Sequence, residues 1–309
     1  MFKQVAYIIK VNLAHLNGWE WAWNITSIKK ISDYNWDEYA YVSGQALRRY
    51  LKETLKLGGK KITSVDKDWN PYYLKDENDE EIKKWFDNQI SKKSKWWDFN
   101  EFINVAKKVF KKYIDLDLFW FMFPNWQRRW SPVKVSPLIS IFPWKWETDF
   151  LTRKQLVEFW ENKSWNIVNV EIDSNNFMRW NIIINESLVW VWEDEYSYDK
   201  YELLDETERK ERIQDLLEAI KNLTWGAVQS RNLEDISPVF ALIINQKYGN
   251  PFLLNIVKVD RKWNLNINEI IDVLKENWIK NGSYIIKKGI FPNESVIIDE
   301  LEKLGFSKF

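Results

Sequence analysis

The stretch Glu38–Lys56, EYAYVSGQALRRYLKETLK, dictates more local structure than any other in the chain. Tyr39 and Tyr41 alternate with Ala40 and Val42, the period of a half-buried strand. Ser43 stands where a helix N-cap belongs, its hydroxyl available to the first unpaired amides. Gly44 has no Cβ and leaves room for another group to approach the backbone closely. Beyond it Leu47, Tyr50, Leu51 and Leu55 recur at helical spacing as an apolar stripe. Arg48, Lys52 and Lys56 fall on another face, with Arg49 beside them. A helix start offers free N–H groups, so Ser43, Gly44 and Gln45, with Arg48 and Arg49 in the next turn, can seat a phosphate. An ordinary capped helix with a solvated basic face has the same spacing, and from spacing alone it is the commoner outcome.

Bulk properties remove several function classes. The 309 residues suffice for one large domain or two modest ones. Lys plus Arg equals Asp plus Glu, so no global field holds nucleic acid and any such binding needs local clusters. There is no Cys, which excludes disulfides and thiolate metal sites. A single His, His15, leaves little for zinc or a Ser-His-Asp triad. No cofactor and no metal are expected. No apolar run approaches the roughly 18 residues of a membrane span. The start, MFKQVAYIIK, alternates like a strand rather than a signal peptide, so a cytoplasmic protein without a membrane partner is expected.

One count is abnormal: 21 Trp against 9 Gly. Ordinary glycine usage is about 7%. Trp36, Trp69, Trp126 and Trp263 follow or precede Asn, Asp or Lys in hairpin-tip contexts, where glycine supplies positive φ. Gly18-Trp19-Glu20-Trp21-Ala22-Trp23-Asn24 reads sensibly as a Gly-rich loop and poorly as three exposed indoles. The pattern predicts that many or all of these tryptophans are glycine in the cell, UGA being read as glycine. The alternative is a Trp-rich protein that stacks indoles on bases or sugars.

Along the chain, Val5–Leu13 reads as a first strand, with His15 in a structural role after it. Lys60–Lys95 is charged and poorly periodic, an insertion with a solvated acidic run at Asp76–Glu81. A helix is expected over Asn100–Tyr113 and a strand over Leu116–Phe123. Residues 124–153 carry Arg128, Arg129, Lys134, Lys145 and Arg153, four prolines, and no acid before Glu147. That composition fits an extended basic arm over a nucleic-acid backbone. Strands are expected at Ile167–Ile172 and Phe177–Trp192, a helix at Thr207–Leu223, and a polar, basic turn at Gln229, Arg231 and Asn232. A hairpin over Pro238–Asn245 and Phe252–Val259, short helices at Asn268–Asn277 and Glu294–Leu304, and a strand at Tyr284–Ile290 complete an α+β chain. It reads as one elaborated domain, 1–309, with insertions at 60–97 and 124–153.

Several segments, in order, carry a family resemblance. They are the opening strand and loop, Tyr41–Arg49, Asp117–Met122, Arg128-Arg129, Ser131-Pro132-Val133, Ser136–Ser140, Thr148-Asp149-Phe150, and Trp225-Gly226-Ala227 leading to Ser230-Arg231-Asn232. The chain resembles the CRISPR-associated backbone subunit of type I Cascade complexes, in its DevR-type (type I-B) branch. Trp120, Trp130 and Trp225 stand where that family's pattern looks like glycine. The resemblance implies a modified RRM-like (ferredoxin-like) palm with inserted fingers (60–97) and a thumb hairpin (124–153). It implies antiviral defence in which copies of the subunit polymerise along a CRISPR guide RNA (crRNA) with the other Cascade subunits and present it to target DNA. By the resemblance, Ser43, Gly44, Gln45, Arg48, Arg49, Gln229, Arg231 and Asn232 face the RNA from the palm, and Arg128, Arg129, Lys134 and Arg153 from the arm. A neutral protein holds RNA this way if each copy supplies a few phosphate contacts and many copies line up.

Two other functions fit the residues less well. Related type III backbone subunits cut target RNA with an Asp of the palm, and Asp33 or Asp37 would be the counterpart here. Nothing adjacent in sequence looks like a second metal ligand or a base, so no enzyme is expected. The other is a stand-alone nucleic-acid-binding regulator.

Overall fold

Strand β1 (Phe2–Ala14) runs through the middle of the fold, and residues 4–9 are buried from both sides. Its alternating side chains therefore serve two cores at once. The computed structural model describes residues 1–15, 18–22, 25–91, 99–123, 128–153, 166–193, 198–203, 205–224 and 233–309. After β1 come β2 (Gly18–Ala22), β3 (Ile25–Ile28), β4 (Lys30–Ser32), β5 (Glu38–Val42) and α1 (Gly44–Leu57). Next are β6 (Ser64–Val65), β7 (Pro71–Tyr72), α2 (Glu80–Ile90), α3 (Phe99–Lys112), α4 (Ile114–Leu118), β8 (Phe121–Met122) and β9 (Arg128–Arg129). Then follow β10 (Val133–Val135), β11 (Leu138–Ser140), β12 (Glu147–Arg153), the long β13 (Asn166–Asn185), β14 (Val191–Glu193) and β15 (Lys200–Glu202). The chain ends with α5 (Glu206–Lys221), β16 (Phe240–Gln246), α6 (Ile267–Glu276), β17 (Gly282–Ile286), α7 (Glu294–Lys303) and β18 (Phe306–Lys308). The expected α+β class is the one adopted.

The main sheet has the order β18-β17-β16-β1-β13-β11-β5-β4. β1 is antiparallel to both neighbours, Tyr7 lying opposite Trp180 of β13 and Ala241 of β16. On one face Val5, Tyr7 and Ile9 join Met178, Trp180 and Ile182 under α1 and α5. Leu47, Leu51 and Leu55 of α1 and Ile213, Leu216, Leu217 and Ile220 of α5 complete that layer. Each such Leu or Ile contributes about 1.5–3 kcal/mol by burial. On the other face Ala6, Ile8, Phe177, Phe240 and Leu242 meet α6 and α7 through Ile270, Ile271, Leu274, Ile297 and Leu301. A third cluster, rich in aromatics, joins α2 and α3 around Trp85, Phe86, Phe110 and Tyr113.

β13 bridges two parts of the sheet, meeting β1, β10 and β11 along its C-terminal part and β12 and β3 along its N-terminal part. Its C-terminal part pairs with β1, from Asp173 opposite Ala14 to Asn185 opposite Phe2. Its N-terminal part pairs with β12, Asn166 opposite Arg153 through Ile172 opposite Glu147. The β12–β13 hairpin thus projects from the main sheet, with β3 along its other edge.

Four expectations are corrected. Leu116–Phe123 is not one strand: α4 ends at Leu118 and only Phe121–Met122 is extended. In a strand Asp115 and Asp117 would share a face, whereas a helical turn sends them apart. Asp115 accepts from Thr63 N at 2.9 Å and pairs with Lys52 at 3.1 Å. Asp117 accepts from Arg129 Nη2 and from Trp190 N, both at 2.8 Å. Second, Phe252–Val259 is a short 3-10 turn (Phe252–Leu254) and loop, because β16 already has β1 and β17 on its two edges. Third, the acidic run is not wholly solvated. Glu77 is buried, accepting from Tyr113 Oη at 2.7 Å and Lys112 Nζ at 2.6 Å. These donors outweigh its burial and hold its carboxyl down at about 2. Fourth, Gly18–Ala22 is a strand rather than a loop.

Candidate nucleic-acid interface

The turn from β5 into α1 forms as its residues dictate. Ser43 is extended (φ −64°, ψ 148°), and its side chain accepts from Ala46 N at 3.3 Å. Gly44 has a use the sequence did not reveal. A Cβ there would lie 2.8 Å from the Val135 carbonyl oxygen, so the group that approaches closely is the β10–β11 link of the same chain. That link is anchored to β13 by Ser136 N to Asn181 O at 2.9 Å and Asn181 N to Ser136 Oγ at 3.0 Å. Two stretches some ninety residues apart thereby meet. They bring the backbone of Val135 and Ser136 against Gly44, with Lys134 exposed one residue before.

Gln45 and Arg49 are exposed, and Arg48 is half-buried. The buried Nε of Arg48 has no hydrogen-bond partner. Burial pushes its guanidinium pKa down, with no carboxylate among the causes. A cation desolvated without a counter-charge gains from an incoming phosphate. Lys52, on the same helical face, is spent on Asp115 at 3.1 Å.

The arm residues separate. Lys134 is exposed on β10, opposite Ile183 of β13. Arg128 lies in β9, paired with Met122, and Arg153 ends β12, paired with Asn166. Arg129 turns inward and is 5% exposed. It ion-pairs with Asp117 and donates to the carbonyls of Leu188 at 2.8 Å and Val191 at 3.1 Å. Arg212 reaches the same carboxylate at 3.5 Å and donates to Phe110 O at 2.9 Å. Burial pushes both guanidiniums down while Asp117 pulls them up. Arg129 is therefore a structural cation, and its place in the RNA-facing set is withdrawn. Gln229, Arg231 and Asn232 lie outside the described residues.

Arg179 was missed. It is half-buried on β13, opposite Ile8 and Ile139, on the face away from α1 and α5. Burial alone lowers its pKa. The signal was a cation inside the alternating run Phe177–Ile182, where a solvated residue does not belong. His15 is buried, its Nδ1 2.8 Å from Glu171 O. Asp33 closes a tight turn, its Oδ1 accepting from Asn35 N at 2.8 Å and Asp37 N at 3.0 Å. Among the described residues, no helix is long and apolar enough to cross a membrane.

A family model described as "CRISPR-associated negative auto-regulator DevR/Csa2" matches residues 5–264. Among solved structures, a chain of a "CRISPR RNA-guided surveillance complex, pre-nicking" superposes with a TM-score of 0.60 at 14% identity, covering 99% of this chain and 96% of that one. A chain of a "CRISPR RNA-guided surveillance complex" gives a TM-score of 0.54 at 12% identity, covering 99% and 94%. At such identities the likeness shows the fold. No curated protein matches the sequence.

Proposed function

The chain belongs to the DevR/Csa2 family, and from that membership we propose that it is a guide-RNA-binding backbone subunit of a type I CRISPR surveillance (Cascade) complex. Copies line up along the guide, hold its phosphates, and leave its bases to pair with target DNA. Sequence reading is then done by base pairing, and the protein contributes shape and backbone contacts. The proposed partners are crRNA, other copies of the chain, the other Cascade subunits and target DNA.

The observation that carries this reading is the helix start at Ser43–Arg49, where Arg48 is half-buried with its Nε unpartnered and without a carboxylate acting on it, and Gln45 and Arg49 are exposed. The sheet order supports an RRM-like palm. Taking β1, α1, β10–β11, β13, α5 and β16 in turn gives a βαββαβ unit with sheet order β16-β1-β13-β11, both helices on one face. Because β10 and β11 of the 124–153 arm pair into the main sheet, the proposed thumb narrows from that arm to the β12–β13 hairpin with Arg153, and the charged insertion at 60–97 remains the proposed fingers. The proposed RNA-facing set is Ser43, Gly44, Gln45, Arg48, Arg49, Arg128, Lys134 and Arg153, together with Gln229, Arg231 and Asn232. Gly44 acts there by shaping the turn. No catalytic residue is proposed.

Filter binding of assembled complex to guides of different sequence tests the interface. Arg48→Ala and Arg49→Ala should weaken every guide alike and lower the salt slope by about 0.7 per lost phosphate contact. A loss confined to particular sequences, or an unchanged slope, contradicts backbone contact. The family's description as an auto-regulator favours a second reading, a regulator of its own locus. Preference for duplex DNA of that locus over guide RNA would establish it.

A further inference from the structure

Among the described residues nine non-glycine positions have φ in the left-handed region, and six are tryptophan: Trp36, Trp69, Trp146, Trp190, Trp263 and Trp278. Their φ values lie between 58° and 67°. The other three are Asn175, Tyr198 and Leu233. Only a few per cent of non-glycine residues adopt positive φ, and for a bulky residue it is a genuine outlier. Among the described residues, six tryptophans do so. The backbone demands glycine where the sequence has its largest side chain.

Three of these sites are one turn used three times. In Asp33–Asp37 the first Asp donates its N–H to the fifth residue's carbonyl at 3.0 Å, and Trp36 N donates to Asp33 O at 3.2 Å. In Asp66–Asn70 the same two bonds are 2.9 and 3.1 Å. In Asp260–Asn264 both are 2.9 Å. Each leading Asp also accepts from the backbone N–H groups of the third and fifth residues through one carboxylate oxygen. This is a type I turn followed by a left-handed residue, the position that glycine fills in such hairpins. Trp36, Trp69 and Trp263 occupy it.

The fourth site has an internal control. After α1, Gly59 (φ 83°) donates to Lys56 O at 3.0 Å, and Lys60 N donates to Leu55 O at 3.0 Å. After α6, Trp278 (φ 58°) donates to Lys275 O at 3.0 Å, and Ile279 N donates to Leu274 O at 2.9 Å. The two helices end in the same hydrogen-bonded cap, which favours glycine at the left-handed position. Gly305 (φ 86°) holds the corresponding place after α7. Trp36, Trp69 and Trp278 are each more than 80% exposed, so no packing holds an indole in these turns. Trp190 is buried, and its φ of 66° alone places it with the others.

We propose that these six tryptophans stand for UGA codons that the source organism decodes as glycine, and that Trp85 is a true tryptophan. Trp85 lies inside α2, fully buried among Phe86, Phe102 and Phe123, where glycine would weaken the helix and empty the core. The proposal is independent of the RNA-binding reading. It also removes the exposed indoles from which base stacking would be argued.

Peptide mass spectrometry of the protein from its native source tests it, with a stability series made in a host that inserts tryptophan. Native peptides should carry glycine at 36, 69, 146, 190, 263 and 278 and tryptophan at 85; tryptophan at the six overturns the proposal. In the recombinant protein Trp36→Gly, Trp69→Gly and Trp278→Gly should each lower the unfolding equilibrium constant about five- to thirtyfold. Trp85→Gly should raise it. Destabilisation by all three exposed substitutions would contradict the backbone argument.

Discussion

Asp173 shows how one residue's surroundings set a measurable property. It sits where β13 passes from β1 to β12, is 2% exposed, and accepts from Asn176 Nδ2 at 3.1 Å. Burial raises its pKa to about 6, and nearby Glu147 adds to the rise. The folded state therefore holds a proton that the unfolded chain, titrating near 4, has already released. This contribution to stability is present below about pH 4 and is lost as pH rises through about 6. Asp173→Asn keeps an acceptor for Asn176 and removes the charge. Denaturant titrations should find the variant more stable than the parent at pH 7, by on the order of 2 kcal/mol, with a flatter profile between pH 4 and 6. An unchanged profile would mean the carboxylate is solvated. The sequence showed none of this, because Asp173 reads as one more polar residue beside a turn. It equally gave no sign that Arg129 and Arg212 converge on Asp117, ninety-five residues from the latter. Buried ion pairs depend on which distant residues the fold brings together, and a single sequence does not record that.

At the scale of elements, local periodicity was readable wherever one face of an element meets a core. The stripe Leu47, Leu51, Leu55 gave α1, and Ile213, Leu216, Leu217 and Ile220 gave α5. The Ser43 cap and the strand before it were legible for the same reason. Two segments failed because their partners are remote. Leu116–Phe123 has a strand's composition, yet two buried acids require a helical turn. Phe252–Val259 has an alternating pattern but no free sheet edge. Gly44 was correctly singled out, while the group pressed against it became visible only with the β10–β11 link in place. Gly44→Ala tests that junction. The added methyl would lie 2.8 Å from a backbone oxygen whose strand is tied to β13, so neither side yields easily. The variant should lose about 1–3 kcal/mol in denaturant unfolding. A gain of about 0.4–1 kcal/mol, usual for Gly→Ala at an unconstrained site, would show that the link is not packed there.

For the whole molecule, zero net charge leaves any nucleic-acid binding to local features such as the desolvated Arg48. Under the proposed function one copy would offer a few phosphate contacts, too few for tight binding at physiological salt, and copies in a row would multiply them without a strongly basic surface. The most direct measurement is the mass of the ribonucleoprotein assembled with sister subunits on guides of two lengths, by native mass spectrometry. The predicted result is a large particle in which the longer guide carries more copies of this chain. A nucleotide-free monomer, or one copy regardless of guide length, would contradict it.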